Sequence, residues 1–97
     1  MDIDKKLENG CLILTVNGRL DTNTSPDLEA EVKTDGVSEV VFDFAGLEYI
    51  SSAGLRVLMG AQKAMMSSGG KVKVLNPNDM VKGVFDMTGL SGIFEIV

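Results

Sequence analysis

The sequence predicts a single α/β domain over residues 1–97, with a mixed, mostly parallel sheet of about five strands and three main helices. Two observations predict this class. Short apolar segments of strand type alternate along the chain with longer segments whose apolar residues recur at helical spacing. Gly, Pro or Asn residues stand at the boundaries of these segments. The resulting order is β-β-α-β-α-β-α-β, and strand–helix–strand units of this length imply right-handed parallel crossovers.

The first two strands form the antiparallel part of the predicted sheet. Residues 2–8 mix charged and apolar side chains, and residues 11–17 are mostly apolar. Asn9-Gly10, between them, is a dipeptide that strongly favours a two-residue hairpin turn. The two segments are therefore predicted to pair as a hairpin.

A short helix follows the loop GRLDTNTSP. Thr24 or Ser25 is the predicted N-cap, and Pro26 suits the first helical position. Acidic residues early in the segment favour the positive end of the helix dipole. The apolar stripe is thin, so we expect the helix to end near Thr34, before Gly36.

The third strand and the long helix after it form the centre of the predicted domain. Residues 39–44 (EVVFDF) are apolar enough to indicate that both faces of this strand are covered. After AGLEYI and two serines, helical periodicity extends to about Ser68, and Gly69-Gly70 ends the helix. One side of this helix carries the apolar residues Leu55, Leu58, Met59, Met65 and Met66.

The last part of the chain adds a strand, a helix and a terminal strand. KVKVL, residues 71–75, alternates as a fourth strand. Asn76-Pro77 opens the third helix, Gly89 closes it, and GIFEIV is the terminal strand. The apolar face of the third helix carries Met80, Val81, Val84 and Phe85.

The sulfur-containing residues are expected mainly in the core. Met59, Met80 and Met87 fit apolar helical faces and are predicted to fill it. Met65 and Met66 are adjacent and cannot both face inward, so one of the two is expected at the surface. Cys11 lies in an apolar strand and is predicted to be a small core hydrophobe.

Composition and charge exclude several classes of function. The net charge is −5 without a basic block, which argues against a nucleic-acid binder and against a binder of anionic membranes. The apolar runs are shorter than the ~20 residues of a membrane span, and MDIDKKLENG contains no signal-peptide core. One cysteine allows no internal disulfide, which fits a cytoplasmic location.

The chemically active residues do not form a catalytic set. There is no histidine to act as a general base or to activate Cys11. No phosphate loop of the GxxxxGK or GxGxxG type is present, and no cluster has zinc spacing. We therefore expect a protein that is not an enzyme and that uses no metal or cofactor.

Two adjacent serines in EYISSAGLRVLM, residues 48–59, allow two interpretations. A serine before a helix is most often its N-cap. The same position exposes a hydroxyl beside the free N–H groups and the positive dipole end of the helix, where a phosphate is favoured. A nucleophilic serine would need a base, whereas a serine that receives a phosphate does not. Small residues at Ala53 and Gly54 leave room for close packing and for a visiting enzyme.

Four stretches of the chain carry a resemblance to one family. LEYISSAGLRVLM resembles the signature of STAS domains, and specifically of bacterial anti-sigma factor antagonists. In the same order along the chain, VNGRLDTNTSPDLEAEV, EVVFDFAGLEYI and VFDMTGL resemble other segments of that family. Together they cover nearly the whole chain, and the predicted element order matches the STAS fold.

The resemblance implies a regulatory function. Such a domain binds an anti-sigma factor that is also a serine kinase, and this binding frees a sigma factor. Phosphorylation of one serine ends the binding, and a PP2C-type phosphatase is the expected partner for reversal. Aligned on Gly54-Leu55, the phosphorylated position falls on Ser52. The family's acidic position falls on Ser51, which departs from the usual pattern and makes Ser51 the second candidate acceptor.

The resemblance also predicts a partner-binding surface. It places the loop with Asp21, Thr22 and Asn23 beside Ser51 and Ser52, and these residues are the predicted contacts together with Arg56. Two of them have a purely structural interpretation as well. Asp21 could be a turn residue with an Asx-type hydrogen bond, and Arg56 could be a solvated charge.

A second function remains open at the level of the sequence. The chain could be a STAS scaffold subunit of a signalling or lipid-transport complex, with the two serines serving only as a cap. A neighbouring coding region for a GHKL-type kinase or a PP2C-type phosphatase would favour the switch. A neighbouring ABC transporter operon would favour the scaffold.

Overall fold

The structure is a computed structural model that describes all residues from Met1 to Val97. Its elements confirm the predicted α/β class and add two short ones. In chain order they are β1 (Asp2–Glu8), β2 (Cys11–Leu20), α1 (Ser25–Glu31), β3 (Glu39–Asp43), β4 (Leu47–Ile50), α2 (Ser52–Ser67), β5 (Lys71–Leu75), α3 (Asp79–Thr88), a 3₁₀ turn (Leu90–Gly92) and β6 (Glu95–Ile96).

The sheet is mixed and mostly parallel, as predicted. Its main order is β1-β2-β3-β5-β6, with β1 antiparallel to β2 and the other pairs parallel. The short strand β4 was not predicted. It forms because β2 is ten residues long and extends past its pairing with β3, so that residues 18–20 are free to pair with β4.

All three helices pack on one face of the sheet. Their buried side chains join those of the strands in a single cluster of 22 buried residues. Val41 is buried but lies outside this cluster, on the opposite face, with Ile13 and Lys73 as its neighbours in register. The prediction that both faces of this strand are covered is confirmed by the burial of Val40 and Val41, but the cover of Val41 comes from strand neighbours rather than from a second layer of helices.

The helix ends differ in detail from the predicted ones. The first helix ends at Glu31 rather than near Thr34, and Pro26 is its second residue. Thr24 occupies the N-cap position but makes no side-chain cap bond there. The third helix ends as predicted, with Gly89 in the left-handed conformation (φ 78°). None of the helices has the length and the apolar composition needed to cross a membrane.

The methionines are more exposed than predicted. Met65 is fully buried and Met66 is 68% exposed, which confirms that only one of this pair faces inward. The expectation that Met59, Met80 and Met87 fill the core is wrong, because their exposed fractions are 40%, 52% and 88%. They lie at the edge of the apolar stripes, where helical geometry turns the side chain outward.

Cys11 is also not a core residue. It lies half-buried at the start of β2, and its thiol donates to Glu39 Oε1 at 3.6 Å. Partial burial raises the pKa of the Cys11 thiol, and the charge of the Glu39 carboxylate raises it further. The thiol therefore stays protonated and weakly reactive at neutral pH.

Candidate functional site

The two predicted site segments leave the sheet at the same edge. Leu20 and Ile50 are register partners at the ends of the parallel strands β2 and β4. The Ser51 N–H donates to the Leu20 carbonyl at 2.9 Å. The Asp21 loop and the double serine therefore begin side by side, at the carboxyl ends of two parallel strands.

The two serines have different structural roles. Ser51 is the N-cap of α2 in an extended conformation, and its Oγ accepts a long hydrogen bond of 3.4 Å from the Gly54 N–H. Ser52 is the first helical residue, is exposed, and has no side-chain hydrogen bond within the chain. The capping role thus falls on Ser51, and the hydroxyl of Ser52 is free to react or to contact a partner.

Gly54 allows the start of α2 to approach the two strands closely. A Cβ at this position would lie 2.8 Å from Leu20 Cγ and 2.9 Å from Ile50 Cγ1. Both neighbours are buried, so neither has room to move aside. The absence of a side chain at Gly54 therefore determines how near Ser52 lies to the end of β2.

The loop after β2 is held by the carboxylate of Asp21. Its Oδ1 accepts hydrogen bonds from the N–H groups of Asn23 at 3.0 Å and Thr24 at 3.1 Å. The hydrogen bond from the Thr24 N–H is the main cause of a lowered pKa of Asp21, and Arg19 contributes a smaller electrostatic effect. Asp21 thus makes the Asx-type turn, while Thr22 and Asn23 are exposed at its tip.

Arg56 lies on the helix side of a cleft that it shares with the loop. It is exposed, lies one helical turn after Ser52, and forms no ion pair with a carboxylate. With Thr22, Glu29 and Ala53 it lines a small cleft of about 230 Å³ between α1 and α2. Two of the predicted partner residues, Thr22 and Arg56, therefore face one cleft.

Two features near this surface were missed by sequence reasoning. The Arg19 guanidinium lies 4.4 Å from the centre of the Tyr49 ring, a cation–π contact across the β2–β4 pair. The Asn78 side chain donates to the Leu47 carbonyl at 3.0 Å and so holds β4 in place. Neither contact was predictable while β4 was unrecognised, because Tyr49 and Leu47 then had no strand partner.

The Ser52 hydroxyl has no hydrogen-bond partner within the chain. No basic side chain is hydrogen-bonded to the Ser52 hydroxyl, so nothing in this chain prepares it as a nucleophile. No group of three or more Cys, Asp or Glu side chains is placed to hold a metal ion. What the arrangement offers is an exposed hydroxyl at a helix N-terminus, where an added phosphate meets free N–H groups.

This fold and this serine-bearing edge define a class of protein. The chain matches the family model of the STAS domain over residues 2–97, and it belongs to that family. Solved structures share the fold. Unphosphorylated SpoIIAA, an anti-sigma factor antagonist, has a TM-score of 0.87 at 20% identity, over 99% of this chain and 88% of that chain. The phosphorylated form from Bacillus has a TM-score of 0.80 at 19% identity, over 99% and 91%.

Relatives in sequence agree with the resemblance of the serine-bearing segment. BtrV of Bordetella bronchiseptica, provisionally named an anti-sigma factor antagonist, is 33% identical over 91 residues, which cover 91% of this chain and 78% of BtrV. The anti-sigma F factor antagonist of Paenibacillus polymyxa is 28% identical over 100 residues, covering 99% of this chain and 86% of the relative. The predicted membership of the STAS family and the similarity to anti-sigma factor antagonists are confirmed.

Proposed function

We propose that this chain is an anti-sigma factor antagonist whose binding is ended by phosphorylation of Ser52. In its unmodified form it occupies an anti-sigma factor and so releases a sigma factor. The anti-sigma factor is also the serine kinase that modifies Ser52, and a PP2C-type phosphatase restores the binding form. The chain itself acts as a substrate and a binding partner, not as a catalyst.

One observation carries most of this proposal. The Ser52 hydroxyl is exposed and free of hydrogen bonds, at the start of a 16-residue helix and beside an exposed loop. A kinase can reach such a hydroxyl without unfolding the domain. The names of the relatives support the regulatory class, and the existence of a phosphorylated form of SpoIIAA supports a phosphate as the signal.

The phosphate acts on the partner surface through its charge. It adds about −1.5 to −2 charges at neutral pH. Within the domain, the N-terminus of α2 accommodates this charge, because its dipole and free N–H groups favour an anion. In the complex, the same charge has to leave water against a surface that is complementary to a neutral hydroxyl, and exposed Glu48 adds to the repulsion of an acidic partner group.

Ser51 remains the second candidate acceptor. It is half-buried and is already used as the N-cap of α2. A kinase would have to break the cap to modify Ser51, whereas Ser52 requires no such change. The geometry therefore supports Ser52 as the main acceptor.

The loop at residues 21–23 forms the other half of the proposed partner surface. Thr22 faces the cleft that also contains Arg56, and its side chain makes no hydrogen bond that holds the fold. Thr22→Ala should therefore weaken partner binding without lowering the melting temperature. Asp21→Ala should weaken binding more than it lowers the melting temperature, if the loop is a contact surface as well as a turn.

A scaffold function is the second candidate. The observation that favours it is Ser51 itself, which stands where the family's usual pattern has an acidic residue. In a scaffold, Ser51 would serve as the cap and Ser52 would stay unmodified. The partners would then be subunits of a signalling or lipid-transport complex.

The decisive experiment is incubation with ATP and the cognate kinase, followed by mass mapping of the modified residue. We expect one phosphate on Ser52, no modification of Ser52→Ala, and most of the modification retained in Ser51→Ala. Phosphate on Ser51 alone would contradict the assignment of the acceptor. No phosphate on either serine, with binding to the kinase intact, would favour the scaffold.

A further inference from the structure

The outer face of α2 contains an open groove beyond the serine-bearing edge. Its volume is about 870 Å³, and it lies between the outer face of the helix and Ile93. It begins at Arg56 and ends at Ser67, a rise of roughly 16 Å along the helix, or three turns. Nothing in the proposed switch at Ser52 accounts for this groove.

The apolar lining of the groove is exposed. Met59, Met66 and Ile93 have exposed fractions of 40%, 68% and 45%. The two methionines are seven residues apart, so they lie on the same side of α2 two turns from each other. Methionine side chains are flexible and polarizable, and they are common on surfaces that receive apolar partners.

Gly60 also lines the groove, and no contact within the chain explains why this residue is a glycine. It is exposed in the interior of α2, where glycine destabilises a helix relative to alanine. A Cβ at this position would meet no atom within 4 Å, and the backbone is not in a left-handed conformation. No contact within the chain requires the glycine, but its missing side chain leaves the helix backbone open to close approach from outside.

The charge of the groove is opposite to that of the chain. Arg56 and Lys63 are its only charged lining residues, both are exposed, and neither forms an ion pair. The whole chain has a net charge of −5. The groove therefore combines apolar contacts with two unpaired cations, which favours an occupant that has both apolar and acidic side chains.

We propose that this groove is a docking site for an acidic amphipathic helix of a protein partner. Its apolar side chains contact Met59, Met66 and Ile93, and its carboxylates pair with Arg56 and Lys63. Docking of a helix in an apolar groove is an established mode of peptide recognition. The groove shares Arg56 with the predicted partner surface, but its other lining residues lie further along α2 and at Ile93, and it serves a switch or a scaffold equally.

The test uses the full chain with ¹³C-labelled methionine methyl groups, observed by NMR. The probe is a synthetic helical peptide of about four turns, with leucine at helical spacing and glutamate elsewhere. We expect saturable shifts of the Met59 and Met66 methyl signals. Met80 and Met87 are exposed on α3 and do not line the groove, so their signals should not move.

A pair of glycine variants separates blocking of the groove from damage to the fold. Gly60→Leu should fill the groove and weaken peptide binding about tenfold or more. Gly83→Leu, in α3, is the matched control because a Cβ there also meets no atom within 4 Å. Neither variant should lower the melting temperature, since leucine is a better helix former than glycine.

Several results would overturn the docking site. They are the absence of any shift with the acidic peptide, equal binding of a peptide with lysine in place of glutamate, and equal shifts at Met80 and Met87. Shifts of Met59 and Met66 with vesicles of anionic phospholipid, but not with the peptide, would assign the groove to a membrane instead. The peptide titration uses the unmodified chain and needs neither a kinase nor an anti-sigma factor, so a failure of the phosphorylation switch would leave its result unchanged.

Discussion

Both α2 and α3 begin at a polar N-cap residue, but only the first turn of α3 contains an acidic residue. At α3, Asn78 Oδ1 accepts from the Val81 N–H at 2.8 Å, and Asp79 places a carboxylate in the first turn. At α2, Ser51 Oγ accepts from the Gly54 N–H at 3.4 Å, and the first turn contains no acidic residue. The positive end of α3 is therefore neutralised within the chain, whereas that of α2 is not.

This difference separates a helix start that is bonded to the sheet from one that leaves a hydroxyl free. The start of α3 is tied to the sheet, because the Asn78 side chain also donates to the carbonyl of Leu47. The start of α2 instead presents Ser52, exposed and without a hydrogen bond. A helix N-terminus that lacks its own anion is suited to receive one, which is what a phosphate on Ser52 would supply.

The largest expected effect is that of Ser52→Glu on partner binding. A carboxylate buried against a partner suited to a neutral hydroxyl is left unpaired, which costs roughly 2–5 kcal/mol, or about 30- to several-thousand-fold in affinity. The lower end is expected, since glutamate has one charge and a planar carboxylate. Stability should change by less than ~1 kcal/mol, because Ser52 is not the cap and the helix dipole favours the new charge.

Calorimetric titration of both proteins against the anti-sigma factor, with thermal melts in parallel, measures this difference. Ser52→Gln is the matched control, of the same size but without the charge. Equal affinities of the wild type and Ser52→Glu would show that Ser52 lies outside the contact surface. The phosphorylation switch would then have to be given up.

The next largest effect is expected from Gly54→Ala. The added methyl group would contact Leu20 and Ile50 at less than 3 Å, and such overpacking costs roughly 1–3 kcal/mol. This overpacking cost outweighs the gain in helix propensity when alanine replaces glycine. Gly83→Ala, where the space is open, should instead stabilise the chain by up to ~1 kcal/mol. Denaturant unfolding of the two variants should therefore give changes of opposite sign; a stabilised Gly54→Ala would mean that α2 can shift away from the sheet at little cost.

The two N-caps should differ in their contribution to stability. Asn78→Ala removes a short cap bond and the hydrogen bond to Leu47, so we expect a loss of about 1–2 kcal/mol. Ser51→Ala removes only a long cap bond, and the expected loss is well below ~1 kcal/mol. Urea denaturation of the two variants measures this contrast. Equal losses would show that the cap of α2 is as well formed as that of α3.

The smallest effect concerns the pH dependence of the Asp21 turn. The folded pKa of Asp21 lies below its ordinary value of 3.8, so the carboxylate stabilises the fold above that pH. This contribution is lost as the pH falls through the folded pKa. The Asp21→Asn variant keeps an acceptor oxygen but does not titrate. Its melting temperature should therefore approach that of the wild type between about pH 6 and about pH 2, and a constant difference would mean that the charge of Asp21 does not support the turn.

Most of the fold was predictable because its signals are local. The hairpin at Asn9-Gly10, the alternation of residues 71–75 and the left-handed Gly89 each depend on a few neighbouring residues. The strand β4 was not predictable in this way. Its four residues pair only because β2 extends beyond β3. A strand that depends on such pairing has little recognisable strand pattern in its own sequence.

Burial was predicted less well than secondary structure. Periodicity alone placed Met59 with the inward residues of α2, although its side chain lies at the edge of the stripe and is exposed. Cys11 is predicted to be a core residue, yet it lies with Val41 on the sheet face that no helix covers. A strand pattern shows that residues alternate between two faces, but not whether a second layer of helices covers each face.

At the candidate site, the residue types and their order were determined by the sequence. A serine pair before a helix, with small residues behind it, is a local pattern that is visible in the chain itself. The division of roles between the serines was decided only by the tertiary structure. The path of the chain from β4, held at Leu20 by the Ser51 N–H, directs the hydroxyl of Ser51 to the cap and makes Ser52 the first helical residue. Contacts between β2 and β4 are distant in sequence, and only the packed sheet brings the Asp21 loop beside the start of α2, with Thr22 and Arg56 lining one cleft.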